Sequence, residues 1–422
     1  MAPSRPRTTN VLSVFLAWCA LLGGGLAGST PAAAAPLAAP PGPASARPAS
    51  WSELAPGVGY ATLDLTAEKG PVRAHLLSVD LTEPKVSIGL LHPGEVAARA
   101  PLSALADAQA AVGGVNGDFF HISETQHPGV EATGAAVGPA VAEGRALKSA
   151  VPNGQRFGPA LPPGTSTRDV LGVGADDRAR LGALELDGTV TAHGDQLPLG
   201  GLNQYALPVG SVGVFTSDWG EASRLRATCG TDTSRSAPCS SETYEVTVRA
   251  GRVTAVAEQP GRGRIAEDTE VLVGREAGAR ELRRLAVGDP VSVRHRLVAE
   301  RARVPYRFAV GGFPVLRDGA PLDGLDSVAF AVRSAAGIGF DGRWLVLMAL
   351  DGAPGFRSGL TVAEVADLMA SLGTTDALSL DGGGSSTLVT RSPGDGAVTV
   401  RNHPSGGAER PVANGIGVFA GG

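Results

Sequence analysis

Lysine is almost absent from this sequence. It stands only at positions 69, 85 and 148, and the other basic residues are arginines. Lys and Arg together number 36 against 41 Asp and Glu, which gives a formal net charge of −5. Because no basic block or basic helix occurs, nucleic acid is not expected as a partner. Aromatic residues make up only 5% of the chain, whereas glycine numbers 59 and proline 31. That balance favours short strands and tight turns over a helical bundle.

Long apolar runs are also missing. The N-terminal run from Val11 to Leu22 is followed by glycines and is too short to predict a membrane anchor. Basic residues precede it and small residues follow it as far as Ala35, which is the order typical of a secretory signal peptide. We therefore predict a signal peptide over residues 1–35 and a Pro/Ala-rich linker over residues 36–50. The mature chain is expected to have no stable membrane span and to be secreted or held in the cell envelope.

Cysteine is scarce, and its three positions are informative. Cys19 lies within the predicted signal peptide, so Cys229 and Cys239 remain as an even pair in an oxidising compartment. Two free thiols or a catalytic cysteine are the alternatives. No histidine lies near either cysteine in sequence, which favours a structural disulfide.

Several common catalytic and cofactor motifs are absent. The seven histidines show no H-x-x-H or H-E-x-x-H spacing, which disfavours a zinc site. The chain contains no G-x-S-x-G elbow, Walker loop or dinucleotide fingerprint. The sequence therefore requires no cofactor, although clustered aspartates would be compatible with a divalent cation.

Residue patterns predict an α+β fold, with a mixed β-sheet main domain and a few packing helices. Alternating segments from Val58 to Leu91 are typical of strands, and PLSALADAQAAV over 101–112 is typical of a helix ended by Gly113. A second helix is predicted to begin at Thr361, since Thr361 and Glu364 form a capping-box pattern.

The middle of the chain differs from its flanks. It contains a predicted hairpin around Ala250-Gly251, a short helical stretch and further strands. We interpret residues 203–304 as a small β-rich subdomain inserted into the main domain. The two halves of the main domain would then span residues 51–202 and 305–422.

Three aspartates share one local design. Asp118, Asp351 and Asp381 each lie beside glycine at the end of an apolar segment. A buried strand delivers its last side chain to the edge of a sheet, and an adjacent glycine lets a ligand approach the backbone. These carboxylates could converge on one cleft. Alternatively, Asp-Gly is simply a common turn dipeptide.

The segment DGGGSST is the most informative in the chain. Consecutive glycines after a strand can present several backbone N–H groups to an anion, and the hydroxyls that follow add donors. The predicted binding residues of this loop are Gly382, Gly383, Gly384, Ser385 and Ser386. Arg333 precedes a predicted strand, where its guanidinium could bind phosphate with two hydrogen bonds. A flexible Gly-Ser turn and a solvated surface arginine are the alternative interpretations.

Six segments, taken in order, resemble the phosphodiester glycosidase family. They are GVNGDFF, AVGGFPVLRDG, VRSAAGIGFDG, LMALDG, SGLTVAEVADLMASLGTTDALSLDGGGSST and VANGIGVF. The similarity extends from about Val58 to Phe419 and is weakest across the predicted insert. The sequence differs from the family at Ser334, where threonine is common, and at Phe313, where glycine is frequent.

The resemblance implies a function and a set of site residues. The polar positions of the family fall on Asn116, Asp118, Arg333, Asp351 and Asp381, on glycines 382–384 and on Ser385. The implied reaction is hydrolysis of a sugar-1-phosphodiester, such as an N-acetylglucosamine-1-phosphodiester, to free sugar and a phosphomonoester. One aspartate would act as nucleophile or as base for water, while Arg333 and the glycine loop bind the leaving phosphate.

Two rival functions use the same residues. The protein could be a non-catalytic glycan-binding protein of the cell envelope, or a phosphodiesterase that cleaves the P–O bond. The sequence does not choose among the three aspartates or between retention and inversion.

Overall fold

A computed structural model describes residues 48–300 and 304–421. The predicted signal peptide and most of the linker lie outside the described residues. No helix in the described part of the chain is long and apolar enough to span a membrane.

The described residues form β-strands and three α-helices. The strands, in chain order, are β1 Ser52–Ala55, β2 Val58–Ala67, β3 Gly70–Asp80, β4 Val86–Leu91, β5 Gly113–Asn116, β6 Ala140–Ala142, β7 Arg145–Lys148, β8 Asp169–Gly174, β9 Ala179–Ala192, β10 Asp195–Leu202, β11 Val212–Phe215, β12 Thr243–Arg249, β13 Arg252–Ala257, β14 Thr269–Arg275, β15 Val291–Ala299, β16 Tyr306–Gly311, β17 Phe313–Arg317, β18 Ala320–Pro321, β19 Ser334–Gly339, β20 Trp344–Leu350, β21 Asp376–Ser379, β22 Leu388–Thr390, β23 Thr399–Val400 and β24 Gly415–Ala420. The helices are α1 Leu102–Ala108, α2 Ala277–Leu282 and α3 Val362–Ser371. The fold class is α+β, as predicted.

Three sheets organise these strands. An eight-stranded sheet has the order β1-β2-β3-β20-β19-β21-β17-β18, and a five-stranded sheet has the order β23-β22-β5-β24-β4. An 11-stranded sheet has the order β13-β12-β14-β11-β10-β9-β8-β16-β6-β7, with β15 paired to β9. Strands of the predicted insert thus extend a sheet that also contains strands outside it. The domain boundaries drawn from the sequence stay predictions.

The centre of the eight-stranded sheet is buried on both faces. Neighbouring residues along β3 pack into different apolar clusters, Leu76 into one and Leu77 into the other. Strand β20 alternates in the same way, with Met348 in the first cluster and Leu347 in the second. This two-sided burial explains why the strand WLVLMAL is continuously apolar instead of alternating with polar residues.

Local sequence signals account for several of these elements. The predicted hairpin around Ala250-Gly251 is confirmed, since β12 pairs antiparallel with β13. Strands β19 and β20 form a second antiparallel hairpin. Helix α3 begins with the predicted capping box between Thr361 and Glu364. The prediction for α1 was too long, because the helix ends at Ala108 and Ala110 has a φ of 56°. A non-glycine residue in this left-handed conformation does not continue a right-handed helix.

The predicted disulfide between Cys229 and Cys239 is present. It closes a loop whose residues bond to the segment around Gln155, since the Gln155 side-chain amide donates to the carbonyls of Thr231 and Ser234. These hydrogen bonds hold the disulfide-closed loop against a segment more than 70 residues earlier in the chain.

Candidate active site

One edge of the eight-stranded sheet collects most of the predicted polar residues. Strands β20 and β21 both run antiparallel to β19, which lies between them, so their carboxyl ends reach the same edge. Asp351 follows β20 and Asp381 follows β21, while Arg333 immediately precedes β19. The two aspartates are therefore two strands apart, a backbone separation of roughly 10 Å.

Asn116, the last residue of β5, joins this edge to the five-stranded sheet. Its side-chain amide donates to the Asp381 carbonyl over 2.7 Å. Its side-chain oxygen accepts from the Ser334 hydroxyl at 2.7 Å and from the Thr387 amide at 3.1 Å. Asn116 is fully buried, so its role in this structure is to hold β5, β19 and the glycine loop together.

Asp118 and Asp381 come together at this junction. The Asp381 amide donates to the carbonyl of Gly117 over 2.9 Å, which places Asp118 beside the end of β21. The charge of Asp118 contributes to raising the pKa of Asp381, after the larger effect of burial. Two of the three aspartates therefore come together at this junction.

Asp118 lies in a tight buried environment. The Gly138 amide donates to Asp118 Oδ2 over 2.5 Å, and the Asn414 side-chain oxygen accepts from the Asp118 amide at 2.9 Å. A Cβ added at Gly311 would lie 2.4 Å from Oδ2, so only glycine fits there without a shift. Burial raises the pKa of the Asp118 carboxyl to about 6, although the Gly138 amide and the charges of Lys148 and Arg156 act in the opposite direction.

Asp381 has a similar but less buried environment. Its Oδ1 accepts from the Gly382 amide at 2.9 Å. Burial raises its pKa to about 6, against the effects of the Ser385 hydroxyl and the charge of Arg410. A carboxyl with such a pKa can be protonated or ionised near neutral pH, which is what acid–base catalysis requires.

Three basic side chains act on these two carboxyls without forming an ion pair with either, within the described chain. Lys148 donates to the backbone carbonyls of Gly138 and Ser149, both at 2.5 Å. Arg410 donates to the Ser385 hydroxyl at 3.2 Å, and Arg156 donates to a backbone carbonyl. Burial lowers the pKa of Lys148 to about 7.

The Arg333 guanidinium, predicted to bind phosphate, donates to backbone carbonyls in this structure. Its Nε donates to the Leu360 carbonyl at 3.1 Å and its Nη2 to the Ala329 carbonyl at 2.7 Å. The residue is 7% exposed and its α-carbon lies beside Gly382. In this structure Arg333 thus anchors two backbone segments next to the glycine loop, and phosphate binding by Arg333 stays a prediction.

Asp351 lies at the same edge but in a separate hydrogen-bonded group. Its Oδ2 contacts His75 Nε2 at 3.0 Å and His403 Nδ1 at 3.2 Å, and its Oδ1 accepts from the Ala353 amide at 2.7 Å. Burial would raise the pKa of Asp351, but the amide and the two imidazoles hold it below its ordinary value. Asp351 is therefore kept ionised, and it orients His403, whose side chain is 75% exposed.

The glycine loop is more internally bonded than its composition suggested. The Gly382 amide donates to the Asp381 side chain, and the Gly383 amide donates to the Val332 carbonyl. The amides of residues 385 and 386 donate to the carbonyls of residues 382 and 383, respectively. In the described chain, Gly384 alone among residues 382–386 therefore has an amide without a hydrogen bond. The Ser386 and Thr387 hydroxyls are buried and have no hydrogen-bond partner among the described residues. Buried hydroxyls without a hydrogen-bond partner are unusual in folded proteins.

Sequence reasoning missed Lys148, Arg156, Arg410, His75 and His403. Lys148 carried a compositional signal, as one of three lysines in the chain. The other four carry no local signal, because long-range contacts bring them to the site. Within the described residues, one group of three possible metal ligands occurs, His127 with Cys229 and Cys239, and the disulfide occupies both sulfurs. The compatibility of the aspartates with a divalent cation stays an expectation from the sequence.

The protein thus combines an α+β fold with a pair of buried carboxyls that form a candidate hydrolytic site. Residues 242–419 match the family model described as phosphodiester glycosidase, which confirms the resemblance over this part of the chain. The matched range contains Arg333, Asp351, Asp381 and the glycine loop, whereas Asp118 and Asn116 precede it. A search of the curated proteins found no match to this sequence.

Solved structures share the fold. A hypothetical protein from Synechocystis is 21% identical with a TM-score of 0.66, and the match covers 87% of this chain and 62% of that one. A Burkholderia pseudomallei protein described as exported is 23% identical with a TM-score of 0.63, covering 83% of this chain and 74% of that one. The catalytic domain of zebrafish N-acetylglucosamine-1-phosphodiester alpha-N-acetylglucosaminidase is 14% identical with a TM-score of 0.42, over 89% and 87% of the two chains. The first two structures show the shared fold.

Proposed function

We propose that this protein is an exported hydrolase that cleaves the C1–O bond of a sugar-1-phosphodiester, releasing free sugar and a phosphomonoester. The family match over residues 242–419 supports the reaction class. The observation that carries the proposal is the pair Asp118 and Asp381, whose buried carboxyls have pKa values raised to about 6.

The chemistry suits two such carboxyls. Glycoside hydrolysis uses one ionised carboxylate at C1, as nucleophile or as base for water, and often a second carboxyl as acid. Like charges resist ionising together, so near pH 6 one carboxyl of this pair would keep its proton. A phosphate monoester is a good leaving group, so the acid has less to do here than with an alcohol leaving group.

The surrounding charges suit an anionic substrate. Lys148, Arg156 and Arg410 all act on the carboxyl pair. Positive charge that is oriented before the reaction stabilises the charge that grows on the phosphate as the C1–O bond breaks. A neutral glycan would not need these basic side chains, which favours the phosphodiester over a glycan-binding role.

The test is hydrolysis of an N-acetylglucosamine-1-phosphodiester in oxygen-18 water. Cleavage of the C1–O bond leaves the phosphomonoester unlabelled, whereas attack at phosphorus places the label on phosphate, which 31P NMR detects by its isotope shift. Release of sugar phosphate or of labelled phosphomonoester would identify a phosphodiesterase. No turnover across a panel of sugar-1-phosphodiesters would favour the glycan-binding role.

Export is part of the same proposal. The disulfide and the signal-like N-terminus support it. Intact-mass analysis of the protein recovered from the medium or cell envelope tests it, and a mature chain that still begins at Met1 would contradict it.

A further inference from the structure

Arg156 packs against two aromatic rings beside the carboxyl pair. Its guanidinium carbon is 5.1 Å from the centroid of the Phe119 ring and 5.5 Å from that of Phe313. The two rings stack on each other with centroids 5.8 Å apart. Phe119 directly follows Asp118, and Phe313 begins β17. Cation–π contacts with two rings fix the plane of the guanidinium without using its hydrogen-bond donors.

The guanidinium is close enough to both carboxyls to interact with their charges. Asp118 and Asp381 both raise the pKa of Arg156, although burial has the larger, opposite effect. Yet in the described chain Arg156 forms no ion pair with either aspartate. The one hydrogen bond of its guanidinium there runs from Nη1 to the carbonyl of Pro159. Its other donors therefore remain for a ligand beside the carboxyl pair.

The backbone of Arg156 is held by the loop that the disulfide closes. The Gly154 amide donates to the Asp232 carbonyl over 2.9 Å, and Arg235 donates to the Arg156 carbonyl over 3.1 Å. A Cβ added at Gly154 would lie 2.4 Å from Cα of Thr233, so the two segments are in direct backbone contact. Such anchoring fixes the residue before a ligand binds, which reduces the entropy cost of binding.

We propose that Arg156 binds the phosphate of the substrate, with the loop Cys229–Cys239 setting its position. This inference rests on the proposed function and changes its assignment of the phosphate ligand, because Arg333 already donates to two backbone carbonyls. Phosphate accepts two parallel hydrogen bonds from one guanidinium. A phosphate between Arg156 and Arg410, near both aspartates, would place the bond to C1 beside the carboxyls.

The test compares Arg156→Gln and Arg156→Lys with wild type in binding N-acetylglucosamine 1-phosphate and N-acetylglucosamine, by isothermal titration calorimetry. Loss of charge-assisted hydrogen bonds predicts a fall in affinity for the phosphate of roughly 10-fold or more in the glutamine variant. The lysine variant keeps the charge but loses the planar guanidinium, so its affinity for the sugar phosphate should lie between those of wild type and the glutamine variant. Affinity for the neutral sugar should not change.

The matched control is Arg168→Gln, which removes an exposed arginine paired with Glu185 and Glu300. It should bind the sugar phosphate as wild type does, and thermal unfolding checks that every variant is folded. If either folded Arg156 variant binds the sugar phosphate as tightly as wild type while wild type turns over the phosphodiester, the assignment of Arg156 is wrong and the function stands. If wild type neither binds the sugar phosphate nor turns over the diester, both proposals are overturned.

Discussion

Asp381→Asn should make the protein less active and more stable at neutral pH. Burial raises the pKa of this carboxyl from 3.8 to about 6. A carboxyl whose pKa is higher in the folded state is more easily protonated there than in the unfolded chain. Between about pH 4 and pH 6 the folded protein therefore binds the extra proton, and stability from this group falls as pH rises through that window.

The size of the effect follows from the shift. The pKa of Asp381 differs by about two between the folded and unfolded states, which destabilises the folded protein by at most about 3 kcal/mol above pH 6. Partial exposure of the side chain reduces this cost. Asparagine keeps the volume and can still accept from the Gly382 amide, but it carries no charge. The variant should therefore gain up to a few kcal/mol in its free energy of unfolding near pH 7.5, and the gain should vanish near pH 4.

The assay pairs denaturant unfolding at both pH values with initial rates on an accepted sugar-1-phosphodiester. Turnover should fall by roughly 100-fold or more. Asp376→Asn is a suitable control, since Asp376 begins β21 at the opposite end of the strand from the site. An equal loss of stability at both pH values would show that the Asp381 carboxylate stabilises the fold. Turnover near that of wild type would show that Asp381 is not a catalytic residue.

Three further predictions concern the neighbouring groups. Arg333→Lys should lower the free energy of unfolding by about 1–3 kcal/mol, because it loses its bonds to two carbonyls; a folded variant of unchanged stability that loses only turnover would restore the phosphate role. Asp351→Asn should lower the pKa of His75 further, measured by NMR titration, because it removes the carboxylate that contacts Nε2 and acts against burial; an unchanged pKa would contradict that contact. Replacing Cys229 and Cys239 by serine should weaken sugar-phosphate binding more than neutral-sugar binding, because the loop sets the position of Arg156. Equal weakening of both would contradict this role of the loop.

Much of the fold could be predicted from sequence because its signals are local. The capping box of Thr361 and the turn at Ala250-Gly251 each lie within a few residues of the element they define. The disulfide followed from an even cysteine count in a chain predicted to be exported. The early end of α1 was missed because alanine at position 110 adopts a left-handed conformation that nothing in its local sequence indicates.

The site could be predicted only in part. Asp118 and Asp381 meet because apolar strands deliver them to the edges of adjoining sheets, a pattern visible in sequence. The two-strand gap between Asp351 and Asp381 depends on the insertion of β19 between β20 and β21, which is a property of strand order. Arg156 and Arg410 reach the site through loops whose positions depend on contacts with distant residues.

The glycines around Asp118 restrict how this site can be altered by evolution or by design. A Cβ at Gly311 would approach Asp118 Oδ2 to 2.4 Å, and one at Gly138 would lie 2.8 Å from Cα of Gly311. Neither position can be varied without displacing the carboxylate, so a mutant library gains nothing from including them. Gly311→Ala, in turn, would serve as an inactive reference protein that keeps every polar group of the site.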